Sequence, residues 1–444
     1  MFKREIAKKI GIDLKPALVT VILVASAFVW YFLAFNILKE LSDTLSLSDF
    51  DVLVVFGVNF VGMAISGLFG SILVGKLEKR VPFLHFWMFA GIFLSLIPVA
   101  FNITTSHELI ALSAIFGVYF GLGMPATMGY YAASTNTENR AKLGGISFLL
   151  IGLVFSFIGN IGIGNIILGS LILATARMVG LLLFYLLKAD EKTAQGGSQV
   201  TYAHIVSNRS FVLYFIPWCM FSLVNYMTVP VASKLFFQGE EFIRFSMIIE
   251  NILIAIFAVI SGFLADIFGR KRLTIIGFAM LGIGYAVLGI APYSTEGLYF
   301  YIFVDGIAWG IFFTMFLFTL WGDLAQGLNS DKFYVIGALP YLFSNFMRLL
   351  FGSYLAEIPE TAIFSFASVF LFLAVLPLIY APETLPEKTM KDRELKKYIE
   401  KAQKEARKTQ KKEDENTPKE NVDPEIESGG ENFEEKLKEV EKHY

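Results

Sequence analysis

Twelve runs of about twenty mainly apolar residues constrain this chain more than any other feature, because a helix needs about 20 such residues to cross the hydrocarbon core of a bilayer. They lie near 16–38, 52–75, 82–101, 108–132, 143–162, 166–187, 210–233, 242–265, 272–291, 297–321, 334–356 and 361–380. The spacers are mostly short, which predicts antiparallel neighbours. Two are long: 188–209, and the tail that begins at Ala381.

Composition agrees. Charged residues make up 17% of the chain and mean hydropathy is +0.60, against about 25% charged residues in a soluble protein. The charge is also uneven. The last 64 positions carry 15 Lys/Arg and 18 Asp/Glu, and the first 380 carry 22 and 21. A net charge of −2 excludes a globally basic nucleic-acid binder. The single cysteine, Cys219, excludes disulfide frameworks and cysteine-based zinc sites. The first span begins like a secretory signal, with basic residues, an apolar run and Ala25-Ser26-Ala27, but it continues through Trp30-Tyr31-Phe32-Leu33-Ala34-Phe35 and reads as an uncleaved helix.

Sidedness follows from the connections. The side that holds the N-terminus carries 17 Lys/Arg and the other side 3 (Lys39, Lys234 and Arg244), whereas acids show no such bias. By the positive-inside rule both termini are cytoplasmic, in a multi-pass protein of the cell membrane. We call the side rich in Lys and Arg the basic face.

The chain repeats itself. Residues 71–80, after span two, match 262–271, after span eight, at an offset of 191. Phe116-Gly117-Val118-Tyr119-Phe120-Gly121 matches Asp305-Gly306-Ile307-Ala308-Trp309-Gly310 at 189, and Gly144 and Gly159 match Gly337 and Gly352 at 193. The reading is therefore an all-α integral membrane protein of twelve transmembrane helices. They form two six-helix bundles related by a pseudo-twofold axis, 1–187 and 210–380, joined by a cytoplasmic linker at 188–209 and followed by a charged cytoplasmic tail at 381–444.

The string from Gly262 to Arg272, G-F-L-A-D-I-F-G-R-K-R, closely resembles the loop signature of the major facilitator superfamily and stands between spans eight and nine, where that family carries its second copy. The first copy is degenerate: Gly75 replaces the acid and Glu78 the second glycine. Ala381-Pro382-Glu383-Thr384 resembles the P-E-T ending of sugar-porter members. The resemblance implies a rocker-switch transporter whose central cavity is lined mainly by spans 1, 2, 4, 5, 7, 8, 10 and 11. Within the signature, Gly262, Asp266, Gly269, Arg270 and Lys271, together with Arg140, are the candidate cytoplasmic gate. Asp266 is expected to face the N-terminus of span five near Lys142-Leu143-Gly144, where a carboxylate is favoured. Such a latch forms only when that side is closed. Its degenerate copy predicts that the two halves are latched unequally.

Subtracting the loop charges leaves four inside spans: Arg177, Glu250, Asp305 and Arg348. Each is costly in a membrane unless paired or hydrated. Glu250, Asp305 and Arg348 share a depth of about 12 Å, at about 1.5 Å per residue. Arg348 suits a carboxylate or an anionic substrate, and Asp305 or Glu250 suits proton carriage. Arg177 lies mid-span in helix six, with no acid in any span of its half; it is expected to bond carbonyls of a neighbouring helix or snorkel toward the cytoplasm, and it is also a candidate for a substrate or coupling role. Asn59 matches Glu250 at 191, and Asn36 matches Asn225 at 189. Trp30, Tyr31, Tyr226, Trp309 and Tyr341 offer flat faces with polar tips, suited to sugar-like or aromatic solutes.

The tail is basic from Lys388 to Lys412 and acidic from Glu413 to Tyr444. The first stretch reads as a helix near anionic headgroups, 413–431 as disordered, and a short helix is expected from Asn432. No phosphate loop, H-E-x-x-H or G-x-S-x-G is present, and the four histidines are scattered. An enzyme, a metal site and a cofactor are not expected. The expected function is secondary transport of a small organic solute (a sugar, an organic anion or a related metabolite), with protons as the coupling ion in symport and the chain acting as a monomer in the lipid bilayer. Relative to family patterns, span five lacks the glycine-proline antiporter signature and span four lacks an arginine beside Gly117, which weighs against the alternative of a proton-coupled exporter. A transporter-fold sensor signalling through the tail is the other alternative.

Overall fold

The computed structural model describes residues 14–77, 79–158, 164–190, 197–235, 240–386 and 395. Glu78, Gly159 and the tail features read from the sequence lie outside the described residues, apart from Leu395. The chain divides into a body, Met1–Met390, and a second unit, Lys391–Tyr444.

Twelve long helices make up the described body. They are α1 (Leu14–Thr44), α2 (Asp49–Val74), α3 (Arg80–Ala100), α4 (Ser106–Ser134), α5 (Arg140–Ile158) and α6 (Ile166–Leu186), then α7 (Arg209–Leu235), α8 (Glu240–Phe268), α9 (Arg270–Ile290), α10 (Thr295–Ala325), α11 (Ser330–Ala356) and α12 (Glu360–Tyr380). Ten of them are long and apolar enough to cross a membrane. Of the other two, α11 carries Asp331, Lys332 and Arg348, and α5 is described over 19 residues. α3 breaks at Leu96, just before Pro98, as the missing proline N–H requires. The linker contains one short helix, Tyr202–Ser207.

Local chemistry starts these helices where the apolar runs begin. Ser48 caps α2 through the Asp51 N–H, Thr105 and Glu108 form a reciprocal capping box on α4, and Asn329 caps α11 through the Asp331 N–H. Large apolar side chains such as Phe69, Phe86 and Phe366 point outward, as they do when the surrounding solvent is hydrocarbon.

The sequence repeat is a repeat of packing. A β-carbon at Gly117 of α4 would strike the Asn59 carbonyl of α2, and one at Gly306 of α10 would meet the Glu250 carbonyl and the Leu253 side chain of α8. Asn59 and Glu250 therefore occupy equivalent places, one in each half, each where a glycine lets two backbones approach closely.

The structure corrects one boundary with a consequence. α10 does not end near 321. It passes through a π-helical segment, Phe313–Thr319, in which the Thr319 hydroxyl donates to the Thr314 carbonyl, and continues to Ala325. Asp323, counted from the sequence as a loop charge, is therefore a buried helical residue, 3% exposed. The four charges assigned to the spans are not the only desolvated ones.

Candidate functional site

A small central cavity of about 50 Å³ separates the first six helices from the last six. α1, α2 and α4 face it from one side, α10 and α11 from the other. Its wall includes Phe28, Tyr31, Met63, Phe120, Trp321 and Tyr341. Tyr31 stacks on Phe120 with centroids 4.6 Å apart. Behind Tyr341 stand Tyr226, Trp309 and Trp218, with centroids 5.5, 6.4 and 6.2 Å away. A larger space of about 420 Å³ lies among α7, α11 and α12. It touches only the last six helices, whereas the central cavity is lined from both sets of six.

The intramembrane acids lie behind this wall. Asp305 is 3% exposed and its carboxyl group lies beside that of Glu250. Two carboxyls side by side and away from water cost far less with one proton shared between them than with both ionised. A chain of hydroxyls leads away from the pair. The Tyr301 hydroxyl lies 3.3 Å from Asp305 Oδ1 and 3.2 Å from the Tyr285 hydroxyl, which in turn is 2.8 Å from Thr228 Oγ1 and 3.3 Å from Asn225 Oδ1. Four helices, α7, α8, α9 and α10, thus share one polar network.

Arg348 does not join it, although the sequence places all three charges at one depth. Depth along a helix does not fix direction around it. The Arg348 guanidinium sits 5.8 Å from the Tyr226 ring centroid and, among the described residues, has no carboxylate partner.

Four other sequence candidates stand away from the cavity. Arg177 is fully buried in a neutral cage: Nε and Nη2 donate to the Tyr119 hydroxyl at 3.0 and 2.8 Å, Nη1 donates to Ser26 Oγ at 3.1 Å, and the Trp87 ring centroid lies 4.1 Å away. Neither the snorkelling nor the substrate role read for it fits this enclosure. The Asn59 amide is spent on the Ser113 carbonyl at 2.8 Å, joining α2 to α4. Trp30 donates to Ser95 Oγ inside the first six helices. Asn36 is partly buried on α1 and is not on the cavity wall.

On the basic face a buried ion-pair cluster joins the two sets of six helices. Asp266 accepts from the Lys142 N–H at 3.3 Å, at the start of α5, and its carboxylate lies 3.8 Å from Lys142 Nζ and 2.8 Å from Arg270 Nη2. Asp323 pairs with both Arg140 and Arg270, the latter at 3.0 Å, with side chains at or near complete burial. Glu383 receives the Arg270 and Lys271 N–H groups at 2.8 and 3.2 Å, and so caps α9. Gly269 makes the turn there with φ 98°, a conformation that favours glycine. Gly262 packs flush on Ala141, Lys271 Nζ reaches the Ile379 carbonyl at 2.7 Å, and Arg272 is exposed. A separate pair, Arg80 with Asp331 at 2.9 Å, joins α3 to α11.

Sequence reading missed Asp323, Asp331, Arg80 and Glu383. Two signals were available. Asp331 stands one repeat length, 191 residues, after Arg140, and Glu383 is the acid of the P-E-T string.

An apolar cavity between two six-helix sets, closed on one face by buried ion pairs, defines a transporter-type membrane fold. The sequence pattern of the Major Facilitator Superfamily matches residues 18–322, and the chain belongs to that family. Its fold is similar to that of the human organic anion transporter MFSD10 (TETRAN), at a TM-score of 0.61 and 13% identity, covering 82% of this chain and 100% of that one. It is also similar to the proton:xylose symporter XylE bound to 6-bromo-6-deoxy-D-glucose, at 0.60 and 17%, covering 83% and 96%. No curated protein matches the sequence.

Proposed function

We propose that this chain carries a small organic solute by alternating access in symport with protons, with the basic face cytoplasmic, as a monomer in the cell membrane. The observation that carries the coupling is the Glu250–Asp305 pair. A pair of carboxyls inside helices is a group that changes charge when it gives up or gains a proton, and a doubly charged pair there costs far more than a singly charged one. Loading the proton takes the pair from two negative charges to one and favours the occluded form; its loss restores the second charge and draws water back. The hydroxyls of Tyr301 and Tyr285 hold the pair in place and leave it a polar path toward α7. Closure on the basic face by Asp266, Asp323 and their arginines supplies the other requirement of alternating access, a contact made in one state and absent in the other. The solved neighbours, described as an organic anion transporter and a proton:xylose symporter, support a small organic solute.

The test separates coupling from translocation. In proteoliposomes, with a solute found by a thermal-shift screen, Asp305→Asn is expected to abolish uphill uptake driven by a pH gradient while leaving solute exchange down its own gradient. Uphill uptake equal to wild type would refute proton coupling at this pair.

A further inference from the structure

The chemistry of the cavity wall narrows the substrate beyond a small organic solute. A sugar needs a hydrogen-bond partner for nearly every hydroxyl, because a buried unpaired polar group costs on the order of 1–3 kcal/mol. The wall does not offer them. Phe28, Phe120 and Met63 dominate its surface, and of its polar groups the Tyr334 hydroxyl is already committed to the Phe318 carbonyl at 2.5 Å.

The Tyr341 hydroxyl hydrogen-bonds with that of Tyr226, and the Tyr31 hydroxyl is one polar group on a wall of rings and aliphatic chains. The Trp321 indole N–H, on the wall and 1% exposed, has no hydrogen-bond partner among the described residues. Arg348 lies seven residues after Tyr341 on α11, hence on the same helix face and about 10 Å further along. Tyr226 bridges the two, touching the Tyr341 ring and lying under the Arg348 guanidinium. The cavity thus has an unpartnered donor in its wall and, above Tyr341, a cation without a carboxylate partner among the described residues. Both call for an acceptor, and a guanidinium above all for a carboxylate. The Tyr31–Phe120 stack on the same wall suits a flat apolar body.

We infer that the substrate is an apolar-bodied monocarboxylate, its apolar body held against the Tyr31–Phe120 stack and Tyr341 and its carboxylate met by Arg348. The inference rests on the transport reading above, since it takes the central cavity to be the substrate site. It also explains why Arg348 stays apart from the Glu250–Asp305 pair: the substrate supplies its counter-charge and the pair keeps its proton.

The probes are 3-phenylpropionate, its uncharged amide and D-xylose, applied to the purified full chain by equilibrium binding and then by counterflow in proteoliposomes. Saturable binding of 3-phenylpropionate is expected, with the amide weaker by about tenfold, the difference between a charge-assisted and a neutral hydrogen bond. D-xylose should not compete. Arg348→Gln should bring acid and amide to equal affinity, and Arg348→Lys should keep the preference for the acid, which shows that the site is still folded. An unchanged acid-to-amide ratio in Arg348→Gln overturns the assignment, as does competition by D-xylose or no binding of 3-phenylpropionate at millimolar concentration. The two readings fail separately. Binding without counterflow would sink transport and leave the ligand class standing, whereas proton-driven uptake of an uncharged solute by a protein that ignores carboxylates would do the reverse.

Discussion

The two connections that carry the repeated loop close the basic face by different chemistry. Between α8 and α9 the motif is complete, and its acid works inside a charged cluster. Asp266 meets Lys142 and Arg270, and Asp323 meets Arg140 and Arg270, while Glu383 and Thr384 complete the shell. Between α2 and α3 the acid is replaced by Gly75, and the gap is filled by other parts of the chain. A β-carbon at Gly75 would lie 2.8 Å from the Gln199 amide and 3.1 Å from that of Asn329. Gln199 Nε2 donates to the Gly75 carbonyl at 2.7 Å. Ser198 pairs with Gly327 and Asn329 through backbone bonds, Lys332 Nζ reaches the Val200 carbonyl at 2.7 Å, and Tyr202 bonds back to Ser71 and the Leu68 carbonyl. The linker thus threads between the end of α2 and the start of α11, where a carboxylate would otherwise stand. One ion pair, Arg80 with Asp331, is the charged remainder of this second lock. A lost motif residue need not mean a lost contact, because a covalently tethered segment brings neutral hydrogen bonds to the same place at high effective concentration.

The comparison can be broken at its strongest point first. Asp323→Asn removes the carboxylate shared by two buried guanidinium groups, leaving Arg270 with Asp266 alone and taking the ion-pair partner from Arg140. Breaking a buried pair costs about 3–5 kcal/mol, so we expect the largest fall in thermal stability and a basic face open most of the time. The measurement is reaction of an Ala338→Cys reporter on the cavity wall with an impermeant maleimide applied from that face, on a Cys219→Ser background. Reactivity no greater than in the reporter alone would remove Asp323 from the lock.

Asp331→Asn should act in the same direction and more weakly, about 3 kcal/mol, because Asp331 serves one arginine where Asp323 serves two, and the linker contacts remain. If its effect equals that of Asp323→Asn, the two locks are equivalent and the comparison fails. Gln199→Ala should be smallest, about 1 kcal/mol or less, since it removes one neutral bond at an exposed position. Combined with Asp331→Asn it should exceed the sum of the single effects if linker and ion pair hold the same closed state, and a strictly additive result would show that they act on different states.

Much of the architecture was legible before any coordinates. A bilayer demands long apolar runs, and a duplicated bundle must repeat its close helix contacts, so the runs and the glycine offsets are written along the chain. Gly117 over Asn59 and Gly306 over Glu250 are the same contact made twice. The site was less legible. Asp305 and Glu250 could be named from their depth, but Arg348 shared that depth and turned out to face elsewhere. Arg177 looked like a loose charge and is enclosed by Tyr119, Ser26 and Trp87, all of them neutral residues that no charge count would flag.

The sequence by itself determined the class of molecule, the twelve helices, their repeat and the positions at which charge enters an apolar run, because each is a local property of composition and spacing. Only the tertiary structure decided which charges meet. It extended α10 through a π-helical segment to bring Asp323 to Arg140 and Arg270, set Gln199 against Gly75 and left Arg348 without an acid partner among the described residues. Pairing in a membrane depends on the direction a side chain takes around its helix and on which helices stand beside it. Neither is a property of any one stretch of chain.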